Sequence, residues 1–186
     1  MNITILGTGH MARTLGSGFL RAGHTVVFGS RTPETAADLP APALGHAEAI
    51  GRSPVILSAL AAAHSLETLT GLRRELAGRV LIDIGNAVNG QLDLIYTDSS
   101  LGQRLQESLP ETKVVKTLNT VGGPIGADPT ELPAPTSVFL SGEDRKPKKW
   151  SPACSRTSAG HRSSRSIWAA STPHVQSSTT SCSSPP

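Results

Sequence analysis

The sequence predicts an α/β protein with a doubly wound, mostly parallel β-sheet, followed by a disordered tail. Short and continuously apolar runs recur along the first three quarters of the chain, and segments able to form helices or compact loops separate them. A glycine-rich turn directly follows the first of these runs. Continuous rather than alternating apolar strands are typical of parallel sheets that are covered by helices on both faces.

The first apolar run ends at Gly7, and a helix is expected over 10–22 because its apolar residues recur at helical spacing. Gly16 and Gly18 should let this helix approach the sheet closely. Six strands are predicted in all, at 2–6, 25–28, 55–60, 79–84, 113–118 and 137–140.

The composition changes at residue 144. Residues 1–144 contain 10 basic and 14 acidic side chains, whereas 145–186 contain 7 basic and no acidic ones, so that −4 + 7 gives the net charge of +3. Serine accounts for 12 of the last 42 residues, and no apolar period continues there. Such a segment buries too little surface to offset the entropy cost of ordering. We therefore predict a nucleotide-binding domain over 1–144 and a Ser/Pro-rich disordered tail over 145–186.

Several function classes are disfavoured by composition. Both cysteines, Cys154 and Cys182, lie in the tail, so the domain offers no disulfide framework or cysteine metal site. The basic charge falls on a run without amphipathic period, which does not indicate nucleic-acid binding. No signal peptide or apolar run of bilayer length is visible, and a cytoplasmic protein without a membrane partner is expected.

The glycine-rich turn has the form G-x-G-x-x-A between a predicted strand and a predicted helix, which is the context that makes this motif informative. It consists of Gly7, Thr8, Gly9, His10, Met11 and Ala12. Gly7 allows the tight turn, and Gly9 lets the backbone approach a pyrophosphate. Amides at the helix N-terminus supply donors and a positive dipole end. The pattern predicts an NAD(P)-binding Rossmann fold.

The end of the second strand distinguishes NADP from NAD. An acidic residue there would hold the ribose 2′-hydroxyl of NAD, whereas this chain has Ser30, Arg31 and Thr32 after Gly29. A guanidinium with neighbouring hydroxyls suits a 2′-phosphate. The alternative is that Arg31 is an ordinary solvated surface residue. The sequence favours NADP(H).

With the glycine motif, the Gly-Ser-Arg segment at 29–31 and the run Val-Lys-Thr-Leu-Asn-Thr-Val at 115–121, the chain resembles the coenzyme F420-dependent NADP oxidoreductases over residues 1–144. In that family NADPH and the deazaflavin F420 exchange hydride directly, and a small C-terminal segment helps form the deazaflavin pocket. Pyrroline-carboxylate reductases and β-hydroxyacid dehydrogenases share the first motif. The resemblance implies cofactor contacts at Thr8, Gly9, His10, Met11, Ser30 and Arg31, with looser matches at Leu60, Asn86, Asn119 and Thr120.

The nicotinamide and its acceptor should meet beyond the carboxyl ends of the later strands. Asn119 is the candidate for positioning either group, with a simple role as turn former as the alternative. We assign no catalytic residue. Asp83 and Lys116 fall inside predicted strands, where neighbours should satisfy them. His24 and His64 have no visible catalytic partner, and surface roles are expected for both.

The tail also suggests a shifted reading frame. Translated one frame away, with GC-rich codons chosen at free positions, the stretch after Asp144 yields an amphipathic helix that ends at a leucine and a glycine. The rest of that translation resembles the C-terminal segment of the family. A genuine disordered extension is the alternative. We favour an out-of-frame tail.

The leading functional prediction is hydride transfer between NADPH and coenzyme F420, impaired by the altered C-terminus. Two alternatives stay open. One is an NADPH-dependent reductase of another small acceptor, such as an imine, a carbonyl or a metal chelate; the other is a non-catalytic NADP-sensing module. The expected partner is thus a small-molecule hydride acceptor. The sequence is also compatible with a homodimer.

Overall fold

A computed structural model describes residues 1–128, 132 and 138–142 of the chain. The predicted tail over 145–186, its disorder and its altered frame lie outside the described residues. Among those described, no helix has both the length and the apolarity that a membrane crossing requires. The cytoplasmic location stays a prediction.

The described chain alternates strands and helices from its first residues onward, as the sequence predicted. The strands are β1 (Asn2–Leu6), β2 (Thr25–Ser30), β3 (Ala43–Gly45), β4 (Val55–Ser58), β5 (Val80–Asp83) and β6 (Lys113–Lys116). The helices are α1 (His10–Arg21), α2 (His46–Gly51), α3 (Ala62–Gly71), α4 (Arg73–Leu76), α5 (Leu101–Ser108) and α6 (Gly123–Ala127), and one 3₁₀ turn spans Pro33–Thr35.

The six strands form one parallel sheet in the order β3-β2-β1-β4-β5-β6. The chain runs outward from β1 through β2 to β3, returns to β4 on the other side of β1, and continues to β6. Strand order therefore reverses between β1 and β4, which is where a doubly wound sheet leaves a crevice at its carboxyl edge. The predicted Rossmann architecture is confirmed.

Apolar side chains cover both faces of the sheet. One buried cluster joins α1 and α6 to β1 and β2 and includes Ile5, Leu15 and Phe28, and a second packs α2 to α5 on the opposite face. A side chain at Gly16 would lie 2.5 Å from the Phe28 ring, so this glycine permits the expected approach of α1 to the sheet. A Cβ at Gly18 would instead lie 2.7 Å from the Ala127 carbonyl oxygen of α6, so this glycine permits the packing of α1 on α6.

The sheet differs from the predicted one at its two margins. The third strand, Ala43–Gly45, was not predicted because three residues without a β-branched side chain carry no strand signal. The predicted strand at 137–140 is not a sheet strand where it is described: Ser141 makes a single antiparallel bridge to Lys116. Residue 137 lies outside the described residues. The strand that brings the sheet to six among the described residues is thus β3, at the edge next to β2.

His24 is buried, with 6% of its surface exposed, and the surface role expected for it is wrong. Its Nδ1 lies 3.3 Å from the N-terminal nitrogen of Met1, and its ring packs at a tilt on Phe19. Burial, followed by the positive N-terminus, lowers the pKa of His24. The turn before β2 folds this ring back onto α1, which sequence spacing alone does not indicate.

Candidate functional site

A cavity of about 330 Å³ opens at the carboxyl edge of the sheet, where strand order reverses. The glycine-rich turn, the end of β2 and the start of α3 form its walls. Its lining is Gly7, Thr8, Gly9, Gly29, Ser30, Arg31, Thr32, His46, Ala59, Leu60, Ala61, His64 and Thr68.

The tight turn after β1 depends on Gly7. Its φ of 110° lies in a region that L side chains rarely adopt, and a Cβ there would lie 2.7 Å from the Ala59 carbonyl oxygen. The Gly7 N–H donates to the Gly29 carbonyl oxygen at 2.9 Å. The tight turn predicted at Gly7 is therefore held between β2 and the end of β4.

The N-terminus of α1 opens toward the cavity with no side chain capping it. The N-cap residue is Gly9, which has no side chain with which to cap the helix amides. A Cβ added to it would meet no heavy atom of the described chain within 4 Å, apart from the adjoining residues. The first N–H groups of a helix have no intrahelical partner. Open space and free amides thus coincide at Gly9, which is the geometry that an anionic group requires.

The end of β2 supplies the polar wall. Ser30 is buried, and its Oγ accepts a hydrogen bond from the Thr32 N–H at 3.1 Å, which shapes the backbone around Arg31. The Arg31 side chain is exposed and makes no hydrogen bond to the described part of the chain. Among the described residues, the lining contains one arginine, two histidines and no carboxylate.

His46, the first residue of α2, is a cavity residue that sequence reasoning missed. A Cβ at Gly29 would lie 3.2 Å from its Cδ2, so the ring packs against β2. Burial is the largest cause that lowers the pKa of His46, the Arg31 charge acts in the same direction, and a hydrogen bond with the Gly29 backbone opposes both. No sequence signal marks it, because it directly follows β3, whose three residues carry no strand signal.

His64 is exposed, as expected, and also lines the cavity from the first turn of α3. Of the remaining predicted contacts, His10 and Met11 stand at the start of α1 outside the lining. The Met11 sulfur lies 3.1 Å from the Cβ position of Gly123, so that side chain faces α6.

A second polar group lies at the carboxyl ends of β5 and β6. Lys116 Nζ lies 2.8 Å from Asp83 Oδ2 and also donates to the Gly85 carbonyl, while the Gly85 N–H donates to Asp83 Oδ1. Asp83 is 1% exposed. These contacts confirm that neighbours satisfy both charged side chains, and they hold the loop after β5 against β6.

Asn86 and Asn119 lie just beyond that ion pair and bond to each other. Asn86 Nδ2 donates to the Asn119 backbone oxygen at 2.8 Å, and Asn119 Nδ2 donates to Asn86 Oδ1 at 3.3 Å. Leu118 precedes Asn119 with a φ of 59°, an uncommon conformation for leucine. The structure brings these two predicted residues together but outside the cavity lining, and Thr120 is exposed beside them.

Two comparisons define the family. Residues 2–87 match the family model described as NADP oxidoreductase coenzyme F420-dependent. A crystal structure from Arthrobacter sp. FB24, described as a candidate F420-dependent NADP-reductase, is 31% identical with a TM-score of 0.70, covering 77% of this chain and 74% of that one. The chain belongs to this family. Membership places it among the NADP-dependent oxidoreductases.

Similarities also extend beyond the family. The chain is 32% identical over 123 residues to metalloreductase STEAP3 of Rattus norvegicus, covering 64% of this chain and 24% of that protein. It therefore spans about a quarter of the length of the metalloreductases that it matches. Pyrroline carboxylate reductase of Plasmodium falciparum, with NADP bound, is 14% identical with a TM-score of 0.58, covering 80% of this chain and 50% of that one. That likeness shows the fold alone.

Proposed function

We propose that this family member binds NADPH in the cavity, with the 2′-phosphate at Ser30, Arg31 and Thr32. The observation that carries the proposal is the cavity lining, which offers an arginine and no carboxylate. A site for NAD would place an acidic residue at the end of β2 to accept from the ribose 2′-hydroxyl. The Arg31 guanidinium suits the 2′-phosphate instead, since no carboxylate in the lining would repel that anion.

The pyrophosphate would lie over the turn at 7–11. The open space at Gly9 admits the anion, and the uncapped N-terminus of α1 supplies free amides and the positive end of a helix dipole. Thr8 adds a side-chain hydroxyl to the same wall. With the 2′-phosphate and the pyrophosphate held at these points, the nicotinamide half would extend past Leu60 toward the ends of β5 and β6.

We propose coenzyme F420 as the hydride acceptor. The family description and the 31% identical structure from Arthrobacter support this choice. The bound nicotinamide supplies the hydride, and direct transfer requires two rings in contact rather than an acid and base pair. In this proposal Asn86 and Asn119 position one of the rings, while the residue that acts catalytically stays unassigned.

Reduction of a metal chelate is the second candidate, and the similarity to STEAP3 is the observation that favours it. Imine and carbonyl acceptors belong to the same alternative of an NADPH-dependent reductase. A sensing module would bind NADPH and reduce nothing. The small-molecule acceptor, the homodimer, the cytoplasmic location and the absence of nucleic-acid and membrane partners stay predictions of the sequence.

Cofactor choice is tested by Arg31→Ala. We expect the variant to lose about 1.5–3 kcal/mol of NADPH binding, the range for a charge-assisted hydrogen bond, and to bind NADH almost unchanged. Calorimetric titration of both cofactors measures this, with Arg21→Ala as a matched control on an exposed arginine at the end of α1. Equal losses for NADPH and NADH would remove Arg31 from the 2′-phosphate site.

The acceptor is tested by expressing the chain as written and a version with the alternative frame restored after Asp144. Each is mixed with NADPH and, separately, coenzyme F420, a ferric chelate, an imine and a ketone, and NADPH oxidation is followed by absorbance. We expect F420 reduction to be fastest and to be higher in the restored version. NADPH binding with no oxidation by any acceptor in either version would favour the sensing module, and equal F420 rates would contradict the altered frame.

A further inference from the structure

Arg13 joins the glycine-rich turn of the cavity to the segment that follows Arg31 and Thr32, although neither Arg13 nor its partners in that segment line the cavity. It is the fourth residue of α1. Its Nε donates to the Thr8 carbonyl oxygen at 2.9 Å, and its two terminal nitrogens donate to the carbonyl oxygens of Asp38 at 2.9 Å and Ala37 at 3.1 Å. One guanidinium thus satisfies three backbone acceptors on two segments.

The two segments are those to which the proposed function assigns the phosphates. Thr8 belongs to the glycine-rich turn, while Ala37 and Asp38 end the segment 31–38, which begins with Arg31. Most of that segment is exposed, and it contains only the 3₁₀ turn at Pro33–Thr35 as regular structure. With little apolar burial, its position depends heavily on hydrogen bonds to the rest of the domain.

The backbone at Asp38 supports the same conclusion. Its φ is 57°, in the left-handed region that is uncommon for residues other than glycine. Arg13 donates to the carbonyl oxygen of this same residue. A residue in such a conformation persists when its surroundings determine it, and here Arg13 is part of those surroundings.

We propose that Arg13 is a positioning residue for NADPH selectivity: it fixes the segment 31–38 against the glycine-rich turn, so that Arg31 stands ready for the 2′-phosphate. This inference rests on the proposed function of the cavity. The turn at 7–9 keeps its own bonds without Arg13's side chain, from the Gly7 N–H to Gly29 and from the Arg13 N–H to Gly9. Loss of the guanidinium should therefore affect the 2′-phosphate wall more than the pyrophosphate wall.

Two substitutions separate shape from charge. Arg13→Gln removes the charge and the fork of donors, whereas Arg13→Lys keeps the charge but cannot reach three carbonyls with a rigid planar group. We expect both variants to weaken NADPH binding about tenfold and NADH binding less than about twofold. The reason is that the segment 31–38 would no longer be held in place for the 2′-phosphate, a group that NADH lacks. The exposed Arg21→Gln on the same helix should change neither affinity.

Amide hydrogen exchange without cofactor gives the second readout. In both Arg13 variants the amides of 32–38 should exchange faster than in the parent chain, while those of β1 and β4 should not change. A lysine variant with parental NADPH affinity would show that charge alone matters and would overturn the inference. Unchanged exchange in the segment would overturn it as well.

Arg31→Ala, measured in parallel, separates the two proposals. If Arg31→Ala reduces NADPH affinity selectively and neither Arg13 variant does, the role of Arg13 is wrong and the NADPH site stands. If Arg31→Ala has no selective effect, the 2′-phosphate assignment is wrong, and with it the selectivity role of Arg13, even where faster exchange shows that Arg13 orders the segment. Circular dichroism confirms folding, and the charge-retaining lysine variant serves if the glutamine variant is unfolded.

Discussion

The two polar groups at the carboxyl edge of the sheet use their hydrogen-bonding capacity in opposite ways. Beside β1 and β2, the N-terminus of α1 is uncapped and the Arg31 side chain makes no hydrogen bond to the described residues. Beyond β5 and β6, Asp83, Lys116, Asn86 and Asn119 bond to one another or to adjacent backbone. We call the first set, Arg31 and the N-terminus of α1, the open group, and the second set, Asp83, Lys116, Asn86 and Asn119, the closed group. Under the proposed function an anionic ligand would use the donors of the open group, whereas a ligand at the closed group would have to exchange existing bonds or bind over them.

Breaking the ion pair of the closed group should have the largest of the expected effects, and the property affected is the stability of the fold. Lys116→Met leaves the Asp83 carboxylate, which is 1% exposed, without its cationic partner, and we expect the free energy of unfolding to fall by about 3 kcal/mol. Chemical denaturation measures it. Lys113→Met, on an exposed position of the same strand, should change stability by less than about 0.5 kcal/mol.

A double variant sharpens that test. Asp83→Asn combined with Lys116→Met removes both charges, and it should recover part of the stability lost in the single variant because no unpaired buried charge remains. Equal losses in Lys116→Met and Lys113→Met would mean that the ion pair contributes nothing to the fold.

Filling the open group should abolish cofactor binding without disturbing the fold. Gly9→Val places a branched side chain where, in the described part of the chain, nothing beyond the adjoining residues lies within 4 Å of the new Cβ. The fold should therefore tolerate the valine, whereas the phosphates would clash with it. We expect NADPH affinity to fall more than about 100-fold, or ~2.7 kcal/mol. Gly71→Val, at another glycine with open space and ordinary φ, is the control. NADPH binding that survives Gly9→Val would place the phosphates elsewhere.

Removing the hydrogen bonds between Asn86 and Asn119, with the ion pair left intact, should lower the rate of hydride transfer and leave NADPH affinity almost unchanged. Asn86→Ala removes both hydrogen bonds with Asn119, and we expect kcat for F420 reduction to fall about tenfold while the NADPH Kd changes less than about twofold. Steady-state rates and calorimetry on the frame-restored protein measure the two. A change in Kd alone would assign Asn86 to the cofactor.

The smallest expected effect is electrostatic and lies within the open group. Because the Arg31 charge contributes to lowering the pKa of His46, Arg31→Ala should raise that pKa toward its usual value, although burial still keeps it low. An NMR titration of the histidine ring protons measures this. His24 is an internal control, because burial and the N-terminus lower its pKa and it should not respond.

The sequence predicted more of the open group than of the closed one. The turn at 7–12 and the Ser-Arg-Thr at 30–32 were each predicted from local rules, because a glycine motif between a strand and a helix, and the residues at the end of the next strand, are recognisable within short segments. His46 was missed because it depends on β3, a strand of three residues with no sequence signal. The pairing of Asn86 with Asn119 joins residues 33 positions apart, beyond the reach of any spacing rule.

By itself the sequence determined the doubly wound fold, the glycine-rich turn and the choice of arginine over carboxylate at the end of β2, because apolar periodicity and special backbone conformations are properties of short segments. Only the tertiary structure decided that His24 is buried, that Arg13 joins the segment 31–38 to the turn, and that Lys116 neutralises Asp83. Those contacts depend on strand order and register, which place distant residues side by side through the packing of the whole sheet.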